Sequence, residues 1–552
     1  MNPAIAEQNR TRAVLVAGLL ALLVLSWFYL LGHRGLFNPD EGRYAEIPRE
    51  MLESGNWLVP RLNGLVYIEK PPLQYWATAA TYAVFGVSEW SARFYMGLCA
   101  FLTILMTAAL AHRLWGSAAA WRAGIMLGSS FLLVLMAHEL TLDTSLTFYT
   151  TLTIAAFCLA QDERTSPTAR RHWMWLTWAG AAGAFLTKGL VALVLPAFTL
   201  LAYSLLQRHW SIWKRLHIAS GLPLFLLLTL PWMVLMQRAL PQFFDFFVVR
   251  EHFERYLTMI SNRYEPWWFF IPVFLVGVMP WAVPATRALI GGWRATRAPG
   301  AFNVRRLLWI WAAVVFLFFS ASDSKLVPYI LPMFPAVAVL MATAEEKRLS
   351  RDLRFTGGML VTLGVLLCVA ALLLQRLLAG SPRAVYFLEL RPTLYVTALV
   401  AVLGGSLALR SRSGSLGLTA IVGLTGYLWA AGFLWGARVV QPVYSGAGLA
   451  AQLPAELYQG VPMFSVRTYD QTLPFYLRRT MTMVEEEGEL MFGLQLEPQK
   501  GLKDLAAFEA EWQNAPQALA VVEPRTYKVL TEHGVPMVVR ARDLKRLIVS
   551  RQ

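Results

Sequence analysis

Thirteen apolar runs, near 13–31, 92–111, 123–137, 144–160, 173–187, 189–206, 217–236, 267–286, 307–320, 326–343, 355–375, 393–409 and 416–435, follow one another up to Trp435. Each is long enough, or nearly so, to cross the roughly 30 Å of hydrocarbon in a bilayer. Inside that hydrocarbon every backbone N–H and C=O must be satisfied within the chain, so runs of this length cross as helices. The composition agrees: 57% of residues are hydrophobic and 15% charged, against about 25% charged in soluble domains. The expectation is an all-α polytopic membrane protein.

A formal charge of +15 raises nucleic acid as a partner, but the Lys and Arg residues cluster in short segments between apolar runs, as in cytoplasmic loops. No nucleic-acid partner is expected. With thirteen spans and the amino terminus inside, the loops carrying Arg113, Arg170, Lys214, Arg287 to Arg306, Lys347 and Arg410 all fall on the cytoplasmic side. A fourteenth candidate, 73–88, is short and rich in Thr, Tyr and Trp. Counting it would move every later basic loop outside, so it reads as an interfacial or re-entrant helix. The first run lacks a small-residue cleavage pattern and reads as a retained anchor. Cys99, Cys158 and Cys368 lie singly in apolar runs and read as packing residues.

Charge parity places two long loops, 32–91 and 237–266, on the outer face together with Asp143, Lys188 and the segment 320–325. A membrane domain covering 1–436 is therefore expected to gather its external charges over one cleft. From 437 to 552 polar residues return. The runs 461–466, 481–485, 518–523 and 537–541 alternate with helical patterns and predict a small external α/β domain.

The external charges lie close to membrane depth, where charge is costly and commonly functional. Asp40 and Glu41, in NPDEGRYAEIPREM, suit cation, amine or hydroxyl binding, or proton transfer; they suit the start of a helix equally well. Lys70, in EKPPLQYW, suits a lipid-linked phosphate, or snorkels beside Glu69. Asp143, in LTLDTSL, is held at the membrane surface by a short turn and also suits a helix cap. In REHFERYLTMISNRYEPWWFF, Arg255 has the fork for phosphate oxygens, and His252 with Glu69 or Glu254 offers a divalent-metal site. Lys188 and Lys325 add positive charge, either functional or as anchors at span ends, and Tyr329 can donate to a phosphate.

Taken in order, NPDEGRYAEIPREM, EKPPLQYW, LTLDTSL, FLTKGLVALVLP, EHFERYL and FFSASDSKLVPYILPMFPA resemble the polyprenyl-phosphate-dependent glycosyltransferases of the protein O-mannosyltransferase superfamily, with the GT-C type of fold. Within it the chain is most similar to the bacterial aminoarabinose transferases that modify lipid A. The resemblance implies a multi-pass protein of the bacterial inner membrane, with its active site and carboxy-terminal domain periplasmic; a monomer is expected. The resemblance further implies undecaprenyl-phosphate-linked 4-amino-4-deoxy-L-arabinose as donor and a lipid A phosphate as acceptor; no cofactor is expected firmly, the divalent metal at Glu69 and His252 being the one candidate. Asp40 and Asp143 match the catalytic aspartates. Lys70, Arg255 and Tyr329 match positions near the donor phosphate; Lys188 is expected to bind the donor phosphate with them, and Glu41, Tyr44, Tyr67 and Lys325 are expected to contact sugar or acceptor. The chain departs from the pattern at SDSKLVPY, where a glycine before the lysine and a threonine after the proline are expected.

The inventory fits displacement of a polyprenyl phosphate from an anomeric carbon, with cations stabilising charge on the leaving phosphate. Two rivals are a sister enzyme that glycosylates protein or another glycan, and a transporter or lipid-binding protein without catalysis. The absence of internal repeats disfavours the transporter.

Overall fold

The structure, a computed structural model, describes residues 3–247, 264–293, 302–381, 383–454, 456 and 459–551. All thirteen apolar runs are helical over most of their length, and local chemistry sets the ends. Ser88 opens Glu89–Trp115 through a reciprocal capping box with Ser91. Gly189, at φ +74°, lets Pro167–Lys188 turn straight back into Val191–Gln207.

Among the described residues, eight helices are long and apolar enough to cross a membrane, or nine when Ser117–Gly128 and Phe131–Ala137, bent by 64°, are taken as one span. The other four runs are shorter, broken or more polar. Run 267–286 divides into Phe270–Gly277 and Ala282–Gly292 around Pro280, and Pro167–Lys188 carries Arg170 and Arg171. The interior tolerates short pieces because a backbone surrounded by protein does not face lipid. All nine residues of Phe334–Ala342 are buried. On Ile218–Ala239, by contrast, only Gly221, Thr229, Trp232 and Met236 are buried, as suits a helix that faces lipid on most sides.

Segment 73–88 forms Leu73–Phe85, 13 residues. At about 1.5 Å per residue this is some 20 Å, short of the roughly 30 Å needed to span. It packs between Asp40–Ser54 and Glu89–Trp115, with the Tyr82 hydroxyl donating to the Ala45 carbonyl at 3.1 Å.

Asp40–Ser54 is polar, yet Glu41 through Met51 are all buried, because the helix lies between the membrane bundle and the carboxy-terminal domain. Gly42 makes this possible: a Cβ there would stand 2.5 Å from the Gln471 backbone. Beside it, β1 (Arg61–Leu62) and β2 (Leu65–Val66) form a small antiparallel hairpin.

The last long helix ends at Ala437, and a six-stranded sheet follows. Its strands are β3 (Met463–Val466), β4 (Thr482–Val484), β5 (Gly501–Leu502), β6 (Leu519–Val522), β7 (Val538–Arg542) and β8 (Leu547–Ser550), in the order β5-β4-β3-β6-β8-β7. The β3–β4, β3–β6 and β4–β5 pairs are parallel and the β6–β8 and β7–β8 pairs antiparallel. Four of the strands coincide with those expected from the sequence. The two-residue β5 is too short for a sequence pattern, and β8, Leu-Ile-Val-Ser, lacks the apolar–polar alternation that marks a strand. The domain is tied to the first loop by Asn63, which exchanges two hydrogen bonds with the Met481 backbone, and by Arg61, paired with Glu497 at 2.8 Å.

Candidate functional site

One cleft brings together segments far apart in sequence. Asp40, Arg43 and Tyr44 come from the first-loop helix, and Glu69 and Lys70 from the turn before Leu73–Phe85. Thr141, Leu142 and Asp143 come from the tight turn into Leu142–Gln161, Lys188 from the end of Pro167–Lys188, and Tyr329 from the segment after Val304–Ala321. Val191, Phe318, Phe319, Leu326 and Pro328 give the cleft an apolar wall. Such a mixture suits a ligand that is polar at one end and hydrocarbon at the other.

Asp143 and Lys188 form an ion pair at 2.5 Å, with both side chains largely buried. The Lys188 ammonium also lies 4.5 Å from the centre of the Tyr329 ring, a cation–π contact that fixes both groups. Lys70 donates to the carbonyl of Glu69 at 2.9 Å and lines the cleft. Asp40 begins its helix with a half-exposed carboxylate, held by Arg43 at 2.9 Å.

Arg43 is more central than the sequence suggested. Its other guanidinium nitrogen meets Glu489 of the carboxy-terminal domain at 2.5 Å, and the Tyr44 and Tyr67 rings lie 5.8 and 5.9 Å away. Burial disfavours its charge, but Tyr67, Glu489, Tyr44 and Asp40 outweigh that and hold its pKa well above the ordinary guanidinium value. Glu489 lies in the opposite balance: burial pushes its carboxyl pKa up against the pull of Arg43. Arg43 was within reach of sequence reasoning, since it stands one helical turn from Asp40. Glu489, about 450 residues away, left no such signal.

Three expected contacts lie elsewhere. Glu41 is fully buried, forked between Arg93 at 2.6 Å and Arg34 at 2.5 Å, and it accepts the backbone N–H groups of Phe37 and Leu140. Burial alone would raise its pKa, but Arg34 and Arg93 hold it at about 2. With its acceptor positions filled, it clamps the first loop to the bundle and has none to offer a sugar. Lys325 is buried at 4% exposure and donates to the carbonyls of Glu265 and Ser322; it ties two loops together. Tyr67, at 3% exposure, stands behind Arg43 and does not line the cleft. Arg255 and His252 lie outside the described residues.

The metal expectation rested on Glu69 with His252. Glu69 shares the cleft with Lys70, Arg43 and Lys188. Among the described residues no group of three or more His, Cys, Asp or Glu is placed to hold an ion.

Residues 449–551 match the family described as aminoarabinose transferase C-terminal domain, and residues 13–247 match dolichyl-phosphate-mannose-protein mannosyltransferase. The undecaprenyl phosphate-alpha-4-amino-4-deoxy-L-arabinose arabinosyl transferase 2 of Proteus mirabilis is 33% identical over 385 residues, 68% of either chain. The corresponding Pseudomonas aeruginosa (strain LESB58) transferase is 35% identical over 362 residues, 64% of either chain. Among solved structures, ArnT from Cupriavidus metallidurans bound to undecaprenyl phosphate superimposes with a TM-score of 0.90 at 35% identity, covering 97% of this chain and 98% of that one.

Proposed function

Belonging to the family of undecaprenyl phosphate-aminoarabinose arabinosyl transferases, this chain is a polyprenyl-phosphate-dependent glycosyltransferase, and we propose that it moves 4-amino-4-deoxy-L-arabinose from undecaprenyl phosphate to a phosphate of lipid A. The reaction is placed at the periplasmic face of the inner membrane, with the carboxy-terminal domain on that side. The observation that carries the reading is the meeting of Asp40, Lys70, Asp143, Lys188 and Tyr329 in one cleft with an apolar wall.

The proposed route is a single displacement. An oxygen of the acceptor phosphate attacks the anomeric carbon, the bond from that carbon to the carrier phosphate breaks, and configuration inverts. The electron pair leaves with undecaprenyl phosphate, where Lys70, Lys188 and the Tyr329 hydroxyl face the growing negative charge. Arg255 is proposed to join them. The acceptor phosphate is already ionised, so a strong general base is not required. Asp40 is assigned to the sugar, through its amine or the positive charge that develops at the anomeric carbon, and Asp143 holds Lys188 in place.

The test is incubation of the purified protein, in detergent or nanodiscs, with the authentic donor and lipid A, followed by mass spectrometry. A gain of one aminopentose per lipid A is the expected result. Donor turnover onto protein or another glycan, with lipid A unmodified, would overturn the acceptor assignment in favour of a sister enzyme.

A further inference from the structure

We propose that Glu489, in the carboxy-terminal domain, is a positioning residue of the active site and acts on Asp40 through Arg43. This rests on the transferase reading above and extends it to a domain that otherwise lies outside the membrane bundle.

The geometry is a relay of two ion pairs. Arg43 reaches Asp40 with one terminal nitrogen at 2.9 Å and Glu489 with the other at 2.5 Å. A single guanidinium therefore spans from cleft to domain. Glu489 is itself fixed, accepting from the Gln471 amide at 2.5 Å. Gln471 belongs to the stretch whose backbone lies against Gly42, so the relay crosses a point where the two regions are in close contact. Arg43 is 8% exposed, and the Tyr44 and Tyr67 rings flank it. Its long side chain has little freedom except along the Asp40–Glu489 line.

The consequence is positional. Asp40 stands at the first turn of its helix with a half-exposed carboxylate, and without an anchor on the far side Arg43 would follow Asp40 rather than orient it. Glu489 supplies that anchor. Misplacement of a reacting group by about 1 Å costs on the order of 100-fold in rate.

Steady-state transfer by the full-length protein tests this with Glu489→Ala, Glu489→Gln and Glu489→Asp. Wild-type transfer to lipid A must be present first; its absence counts against the transferase reading and not against the relay. Given wild-type turnover, Glu489→Ala is expected to lower kcat by about 100-fold while the KM for the donor lipid stays within about two-fold. Glu489→Asp is expected to recover much of kcat, because a carboxylate still faces Arg43. A wild-type kcat in Glu489→Ala overturns the proposal. So does a loss that appears in KM alone, or one that Glu489→Asp leaves unrepaired. Should Glu489→Ala fail to yield monodisperse protein, isosteric Glu489→Gln carries the same kcat and KM criteria.

Discussion

Asp40 and Glu41 are adjacent, carry the same charge and begin the same helix, yet one faces a cleft and the other is sealed. The Asp40 side chain is 36% exposed with one ion-pair partner. Glu41 has no exposed surface and is held by two arginines and two backbone N–H groups. The helix turns successive residues by about 100°, so neighbours look in different directions. Charge near the membrane thus has two uses here: a saturated, buried set that fastens loops to the bundle, and an open set with capacity left for a ligand. Lys188 and Lys325 repeat the contrast, one in the cleft and one buried against carbonyls.

The contrast is open to direct test. Replacing Asp40 by Asn is expected to reduce transfer by about 10²–10³-fold, the usual cost of a transition-state electrostatic group, with the thermal midpoint unchanged; a wild-type rate would end its assignment to the site. Glu41→Gln is expected to do the reverse. Removing one partner of a buried charge set costs about 3–5 kcal/mol, seen as a large drop in the melting temperature of the detergent-purified protein. A Glu41→Gln variant of normal stability but poor turnover would erase the distinction between the two carboxylates.

Smaller effects separate the two lysines. Lys188→Met is expected to lower transfer by about 10- to 100-fold, the equivalent of a charge-assisted hydrogen bond of about 1.5–3 kcal/mol. Lys325→Met is expected to lower stability first. Equal activity losses at equal stability would show that both lysines act on the reaction.

The mildest prediction concerns pH. Burial, aided by Glu46, pushes the Glu50 carboxyl up to about 8 from an ordinary value of 4.5. The folded state therefore binds this proton more tightly than the unfolded one. The stabilisation is complete below about pH 4.5 and is lost as pH rises through about 8. Glu50→Gln is expected to melt near wild type at pH 5 and above it at pH 9, as measured by thermal scans across that range. A constant difference would show that Glu50 does not titrate there.

Much of the fold was legible because its signals are local. Hydropathy over twenty residues locates a span, and the alternation of strands and helices announced the sheet domain. The site was legible in part for the same reason: Asp40, Lys70, Asp143, Lys188 and Tyr329 are polar groups at the ends of apolar runs. Glu41, Lys325 and Tyr67 looked alike in sequence and differ only by what folds against them.

The sequence by itself determined that this chain lives in a bilayer and which segments cross or cap it, because those outcomes follow from transfer free energies of contiguous residues. Only the tertiary structure decided which charges are open and which are spent on one another. It also decided that Glu489 stands beside Arg43 in the same neighbourhood as Asp40. Burial and pairing depend on residues hundreds of positions away, and no local pattern encodes them.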